Sequence, residues 1–140
     1  MSYKFEWTKE MSVGEEHIDF QHKRLLEQLN KIIDVLVFDK VDAVVLLETL
    51  NFFKEYITDH LAYEEKYMVS LNYPFMGPHV AEHHNFIKYY DEFMEKAQAG
   101  VDKALLLVEV EKYIGHWWIE HIGKMDRNYY LFSIGEPTIQ

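Results

Sequence analysis

Apolar residues recur along the chain at steps of three and four, the spacing that lines one face of an α-helix. Ile18, Leu25, Leu26, Leu29, Ile32, Ile33 and Leu36 make a first stripe, and Leu46, Leu47, Leu50, Phe53, Ile57, Leu61 and Met68 a second. Phe86, Ile87, Tyr90, Met94 and Ala97 form a third; Leu105, Leu106, Tyr113, Ile114, Trp117, Trp118, Ile122 and Met125 form a fourth. The breaks between them are short. Asp39-Lys40-Val41-Asp42 is polar, with Asp42 placed to cap the second helix, and Ser70-Leu71-Asn72-Tyr73-Pro74 closes that helix. Pro78 suits a first helical turn, Gly100 a position just past a helix end, and Asp102 the cap of the last helix. The pattern predicts helices over roughly 18–38, 42–69, 78–99 and 102–131. An irregular arm over 1–17 bearing Tyr3, Phe5 and Trp7 precedes them, and a loose tail follows Tyr130. Four amphipathic helices with short connections favour an all-α, up-down-up-down antiparallel four-helix bundle, a single domain over 1–140.

Composition narrows the classes. With 49% hydrophobic and 16% aromatic residues, the 140-residue chain is too apolar for disorder. The absence of Cys excludes disulfides, thiolate metal sites and iron–sulfur clusters. A net charge of −10 repels phosphate backbones, so nucleic acid is not an expected partner. The N-terminal stretch has no apolar core of an export signal, and no run reaches the length of a membrane span. A cytoplasmic location without membrane insertion is expected. The eight histidines stand out.

Several of them interrupt the apolar stripes. His22 follows Ile18 by four, His60 follows Ile57 by three, and Glu64 follows His60 by four. His79 and His83 are four apart, leading into Phe86; His121 follows Trp117 by four, with Asp126 five beyond. One inward His is ordinarily a hydrogen-bonded core residue, and a lone HxxxH pair carries little information. The set is different. Each polar group buried without a partner costs roughly 1–3 kcal/mol, so seven would consume most of a domain's ~5–15 kcal/mol. In an antiparallel bundle these positions also fall at one end, which allows all seven to meet.

Five imidazoles and two carboxylates exceed the four ligands of a structural zinc and suit iron. Two octahedral ions need twelve bonds. Two bridging carboxylates supply four, five His supply five and one bridging oxo or hydroxo supplies two, which leaves one position open for a small diatomic ligand. The His121–Asp126 spacing does not fit a regular helix: five residues at ~100° leave the two about 140° apart. A local π-type widening near Ile122–Met125 is therefore predicted.

These residues stand in segments that resemble the hemerythrin family in its single-domain bacterial form. The segments are Trp7, V-G-E-E-H-I-D-F-Q-H ending at His22, H-L-A-Y-E-E from His60, Y-P-F-M-G-P-H-V-A-E-H ending at His83, and W-W-I-E-H-I-G-K-M-D ending at Asp126. The resemblance implies two iron ions bridged by oxo or hydroxo. His79, His83 and His121 would hold one iron, His22 and His60 the other, and Glu64 and Asp126 would bridge them. It implies reversible dioxygen binding at the two-histidine iron, in a dry pocket whose candidate lining is Leu25, Leu61, Trp117, Trp118 and Ile122. Trp118 stands where the family commonly has Leu; its ring either narrows that pocket or is ordinary bundle core. Gln21 and Tyr129 are candidate hydrogen-bond partners of the ligands, while His17, His84 and His116 have no matching role. The expected function is dioxygen storage, delivery or sensing rather than catalysis. A di-iron oxidase or peroxidase and a nitric-oxide- or iron-binding protein are the alternatives, with a metal-free or zinc-bound structural bundle the third.

Overall fold

The computed structural model describes residues 5–38 and 42–138. Tyr3 of the arm and the Asp39-Lys40-Val41 part of the first break lie outside them. Helix α1 spans Glu16–Val37, α2 Ala43–Ser70 and α3 Met76–Gln98. The fourth helix, α4, runs over 103–133 as one rod of alternating character. Its α-helical pieces are Lys103–Glu109, Gly115–Glu120 and Arg127–Ser133, joined by π-helical turns at Val110–Ile114 and His121–Asp126. No strand occurs among the described residues. The helices form the expected bundle, α1 packing against α2 and α4, and α2 against α3.

Local chemistry sets the ends. Glu15 caps α1, accepting from the His17 and Ile18 N–H groups, so α1 begins two residues ahead of its apolar stripe. Asp42 accepts from Val45 N–H and Asp102 from Ala104 N–H, as their positions suggest. Asn72, at φ 54°, turns the chain out of α2. Helix α3 begins at Met76 rather than Pro78, because Pro78 can occupy the third helical position, where no backbone N–H is needed. The tail is more ordered than expected. Helix α4 continues to Ser133, and Glu136 N–H bonds the Leu131 carbonyl at 2.8 Å.

Every residue of the first stripe is buried. The fourth stripe is corrected: Leu105 and Tyr113 are exposed, and Leu106, Val110, Ile114, Trp118 and Ile122 face the core. Two apolar clusters result. The larger includes Leu25, Leu61, Phe86, Trp118 and Ile122, and takes in Phe5 of the arm; the smaller gathers Val13, Ile18, Met68, Tyr73 and Tyr129. Along each helix the polar interruptions fall between residues of the larger cluster and residues of the smaller. A buried polar layer therefore lies across one end of the bundle, closed on both sides by apolar side chains. Among the described residues no helix is long and apolar enough to cross a membrane.

Candidate metal centre

The seven residues singled out from the sequence meet in that layer. His22, His60, Glu64, His79, His83, His121 and Asp126 are each at most 3% exposed. They divide into two overlapping groups: Glu64, His79, His83, His121 and Asp126 make one, and His22, His60, Glu64 and Asp126 the other. Within each group the donor atoms lie within 4.8 Å of one another.

The two carboxylates belong to both groups, and they share out their oxygens. Glu64 Oε1 is 3.1 Å from His79 Nε2 and 2.9 Å from His83 Nε2, while Glu64 Oε2 is 3.6 Å from His22 Nε2 and 3.5 Å from His60 Nε2. Asp126 Oδ1 is 2.9 Å from His79 Nε2 and 3.0 Å from His121 Nε2, and Asp126 Oδ2 is 3.1 Å from His22 Nε2. Bonds of about 2.1 Å meeting at right angles place adjacent metal donors about 3 Å apart. The three-histidine group has that spacing. Four of the donor atoms converge without satisfying one another: both Asp126 oxygens and the Nε2 atoms of His22 and His60 have no hydrogen-bond partner. Lone pairs aimed at common points, at this depth, fit a pair of cations better than a hydrogen-bonded core.

The π-turn at His121–Asp126 is what brings Asp126 into the layer. A π-turn aligns residues five apart, where a regular helix aligns those three and four apart. The predicted widening therefore occurs, one residue longer at each end than Ile122–Met125.

Surrounding side chains orient some of the imidazoles. His60 Nδ1–H donates to Gln21 Oε1 at 2.8 Å, leaving Nε2 with a lone pair toward the cage. His83 Nδ1–H donates to Glu65 Oε2 at 2.9 Å. Glu65 resembles a surface acid in the sequence because Glu64 beside it faces inward, yet 100° around the helix it meets α3. Tyr129 donates to Glu64 Oε2 at 3.1 Å; burial, then the charges of Glu64 and Asp126, hold the phenol well above its ordinary pKa and keep it a donor. The His121 Nδ1 has no such partner; instead the Trp117 ring lies flat on the imidazole, with centroids 4.4 Å apart and planes 9° from parallel. Of the five candidate lining residues, Leu25, Leu61, Trp118 and Ile122 are buried one turn or less from a donor, and Trp117 stays partly exposed. His17, His84 and His116 are exposed; His17 touches Gln21 at 3.3 Å.

Electrostatics in the cage follow from crowding two carboxylates among imidazoles. Burial lowers His60 to about 3. Burial works the same way on His22 and His79, but the Asp126 and Glu64 carboxylates facing them outweigh it and raise them to about 9 and about 10. His121 rises for the same reason. Glu64 and Asp126 are pulled well below the carboxylate range, the facing imidazoles overcoming burial. Protons on the imidazoles thus supply the positive charge that a cation would otherwise bring.

Comparison with known proteins agrees with this chemistry. Residues 13–131 match the family described as the hemerythrin HHE cation binding domain. The chain is similar to the bacteriohemerythrin of Clostridium acetobutylicum, at 32% identity over 129 residues, covering 89% of this chain and 98% of that protein. It is also similar to the bacteriohemerythrins of Stenotrophomonas maltophilia and Pseudomonas aeruginosa, each at 29% identity over 123 residues, covering 88% of this chain and 77% of theirs. None of these names, nor the family description, states an enzymatic activity.

Proposed function

The chain belongs to the hemerythrin family, and on that premise we propose that it binds dioxygen reversibly at a non-haem di-iron centre, as a carrier, store or sensor. His79, His83 and His121 would hold one iron, His22 and His60 the other, and Glu64 and Asp126 both. An iron pair held there would supply the electrons that reversible dioxygen binding requires. The observation that carries the reading is the division of the Glu64 and Asp126 oxygens between the two histidine groups, Oε1 and Oδ1 toward one, Oε2 and Oδ2 toward the other.

The side chains around the cage do the rest. Gln21 and Glu65 hold His60 and His83 in the tautomer that presents Nε2 inward. Leu25, Leu61, Trp118 and Ile122 keep bulk water from the two-histidine side, where the donor count leaves a place for a small ligand. A dry pocket slows the protonation that would turn reversible binding into irreversible oxidation. Histidine-rich ligation supports binding over oxidase chemistry, and no His in the chain has a Glu three residues before it, the pairing used by carboxylate-rich di-iron oxidases.

Metal analysis and a visible spectrum test the proposal together. Reconstituted protein is expected to hold two irons per chain. Anaerobic ferrous protein exposed to air is expected to develop a charge-transfer band that fades under argon and returns in air. Fewer than two irons, irreversible bleaching or steady peroxide consumption would each refute reversible carriage.

A further inference from the structure

Two cations would satisfy the lone pairs of the cage, but one buried polar atom beside it cannot be satisfied that way. The indole N–H of Trp118 is a donor with no lone pair to offer a metal. Trp118 is wholly buried, and its Nε1 has no hydrogen-bond partner. Its ring centroid lies 6.1 Å from that of His60 and 5.9 Å from that of His121. Those two imidazoles belong to different donor groups, so the indole stands against both halves of the centre. A donor shut away from water without an acceptor is destabilising. Bulk alone would not call for it, since a phenyl ring fills core as well, and Phe86 does so with its centroid 5.1 Å away.

We propose that Trp118 determines ligand specificity at the centre: its indole N–H donates to a small, negatively polarised ligand bound between the sides marked by His60 and His121. The chemical class is a di- or triatomic acceptor that carries negative charge when bound, of which the azide anion is a convenient representative. The indole then favours such ligands over poor acceptors of the same size. This inference rests on the di-iron reading above and adds to it a protein-derived hydrogen bond.

The discriminating substitution removes the N–H and keeps the shape. Benzothienylalanine, placed at position 118 by codon reassignment, has sulfur where the indole has N–H. The iron-loaded variant is expected to hold two irons and to bind azide about tenfold more weakly than the parent, the usual worth of one hydrogen bond to a charged acceptor. Trp118→Phe should weaken azide binding at least as much. Two readouts avoid iron altogether. The metal-free benzothienyl variant should melt no lower than the parent, because the unmet donor is gone. In the zinc-loaded parent, the ¹⁵N-labelled indole resonance of Trp118 should move to lower field as azide is added, while those of Trp7 and Trp117 stay in place. Equal azide affinity in parent and benzothienyl variant, both with two irons, would overturn the role of Trp118 and leave the di-iron reading standing. A Trp118 resonance that ignores azide would do the same. Parent protein that takes up no metal would overturn both.

Discussion

Helix α4 is widened twice, and the two π-turns use one backbone device for opposite ends. At His121–Asp126 the turn brings two residues five apart into the same buried layer, and both belong to the candidate metal cage. At Val110–Ile114 the Gly115 N–H bonds the Val110 carbonyl, and Val110 and Gly115, again five apart, are both buried. There the inward residues are Val, Ile and Gly, and what they receive is the Phe5 ring of the arm. The first turn concentrates polar atoms whose charges must be balanced by protons or ions. The second completes an apolar cluster that stabilises the chain without any ion. A π-turn by itself therefore says only that residues five apart must share a face; the side chains decide whether that serves chemistry or packing.

The largest expected effect separates these roles. Asp126→Ala removes one donor from each half of the cage, so iron content should fall from two to below one per chain by metal analysis. Val110→Ala should leave two irons bound and lower unfolding stability by about 1–2 kcal/mol, the cost of a small core cavity. A loss of iron in the second variant would show the two turns to be coupled.

Next in size is a pH effect confined to the metal end. His22 and His79 have folded pKa values of about 9 and about 10, raised above the 6.5 of the unfolded chain. Their contribution to stability is complete below pH 6.5 and is lost as pH rises through 9 to 10. Between pH 7 and 10, His60 is neutral folded and unfolded, and the carboxylates are charged in both, so none of them opposes the trend. Chelator-stripped protein should lose on the order of a few kcal/mol over that interval by calorimetry. Iron-loaded protein, its imidazoles held neutral by the ions, should stay nearly level. Because ions must displace those protons, iron affinity should also fall as pH is lowered toward 7.

What could be seen beforehand follows the same division. His121 and Asp126 are conspicuous residue types, and their spacing of five contradicts a regular helix, so the sequence itself points to a widened turn there. Val110, Ile114 and Gly115 announce nothing. Leu105 and Tyr113 look as apolar as Leu106 and Ile114, and only packing against the other helices decides which pair faces inward. The bundle and the buried cluster of polar residues were legible because each stripe and each interruption is local to one helix. Phe93, buried in α3, and Glu65, bonded to His83, were not, since their roles depend on neighbouring helices. The seat of Phe5 on Gly115 joins residues more than a hundred positions apart, beyond the reach of any periodicity.

A smaller effect tests whether the cage depends on its surroundings. Gln21→Leu removes the acceptor that fixes the His60 tautomer. Iron affinity should fall ten- to a hundredfold, with competition against a chelator as the measurement. His83 retains Glu65 in this variant, so the three-histidine iron should be the one still held when chelator is limiting.

The smallest effect tests the packing end. A Cβ on Gly115 would stand 2.0 Å from Cζ of Phe5, so in Gly115→Ala the ring must leave its place. The arm cannot simply slide aside, because Asn30 holds the Phe5 backbone at both its N–H and its carbonyl, each at 2.8 Å. Losing much of a buried phenyl costs about 2 kcal/mol, and replacing a helical Gly by Ala returns about 1 kcal/mol. The net expectation is a loss of about 1 kcal/mol by denaturant unfolding, with two irons per chain retained. In a Phe5→Ala background the ring is absent and only the helical gain remains, so Gly115→Ala should there become stabilising. That reversal of sign distinguishes a steric seat for Phe5 from a general intolerance of the widened turn, because an intolerant turn would penalise alanine in both backgrounds.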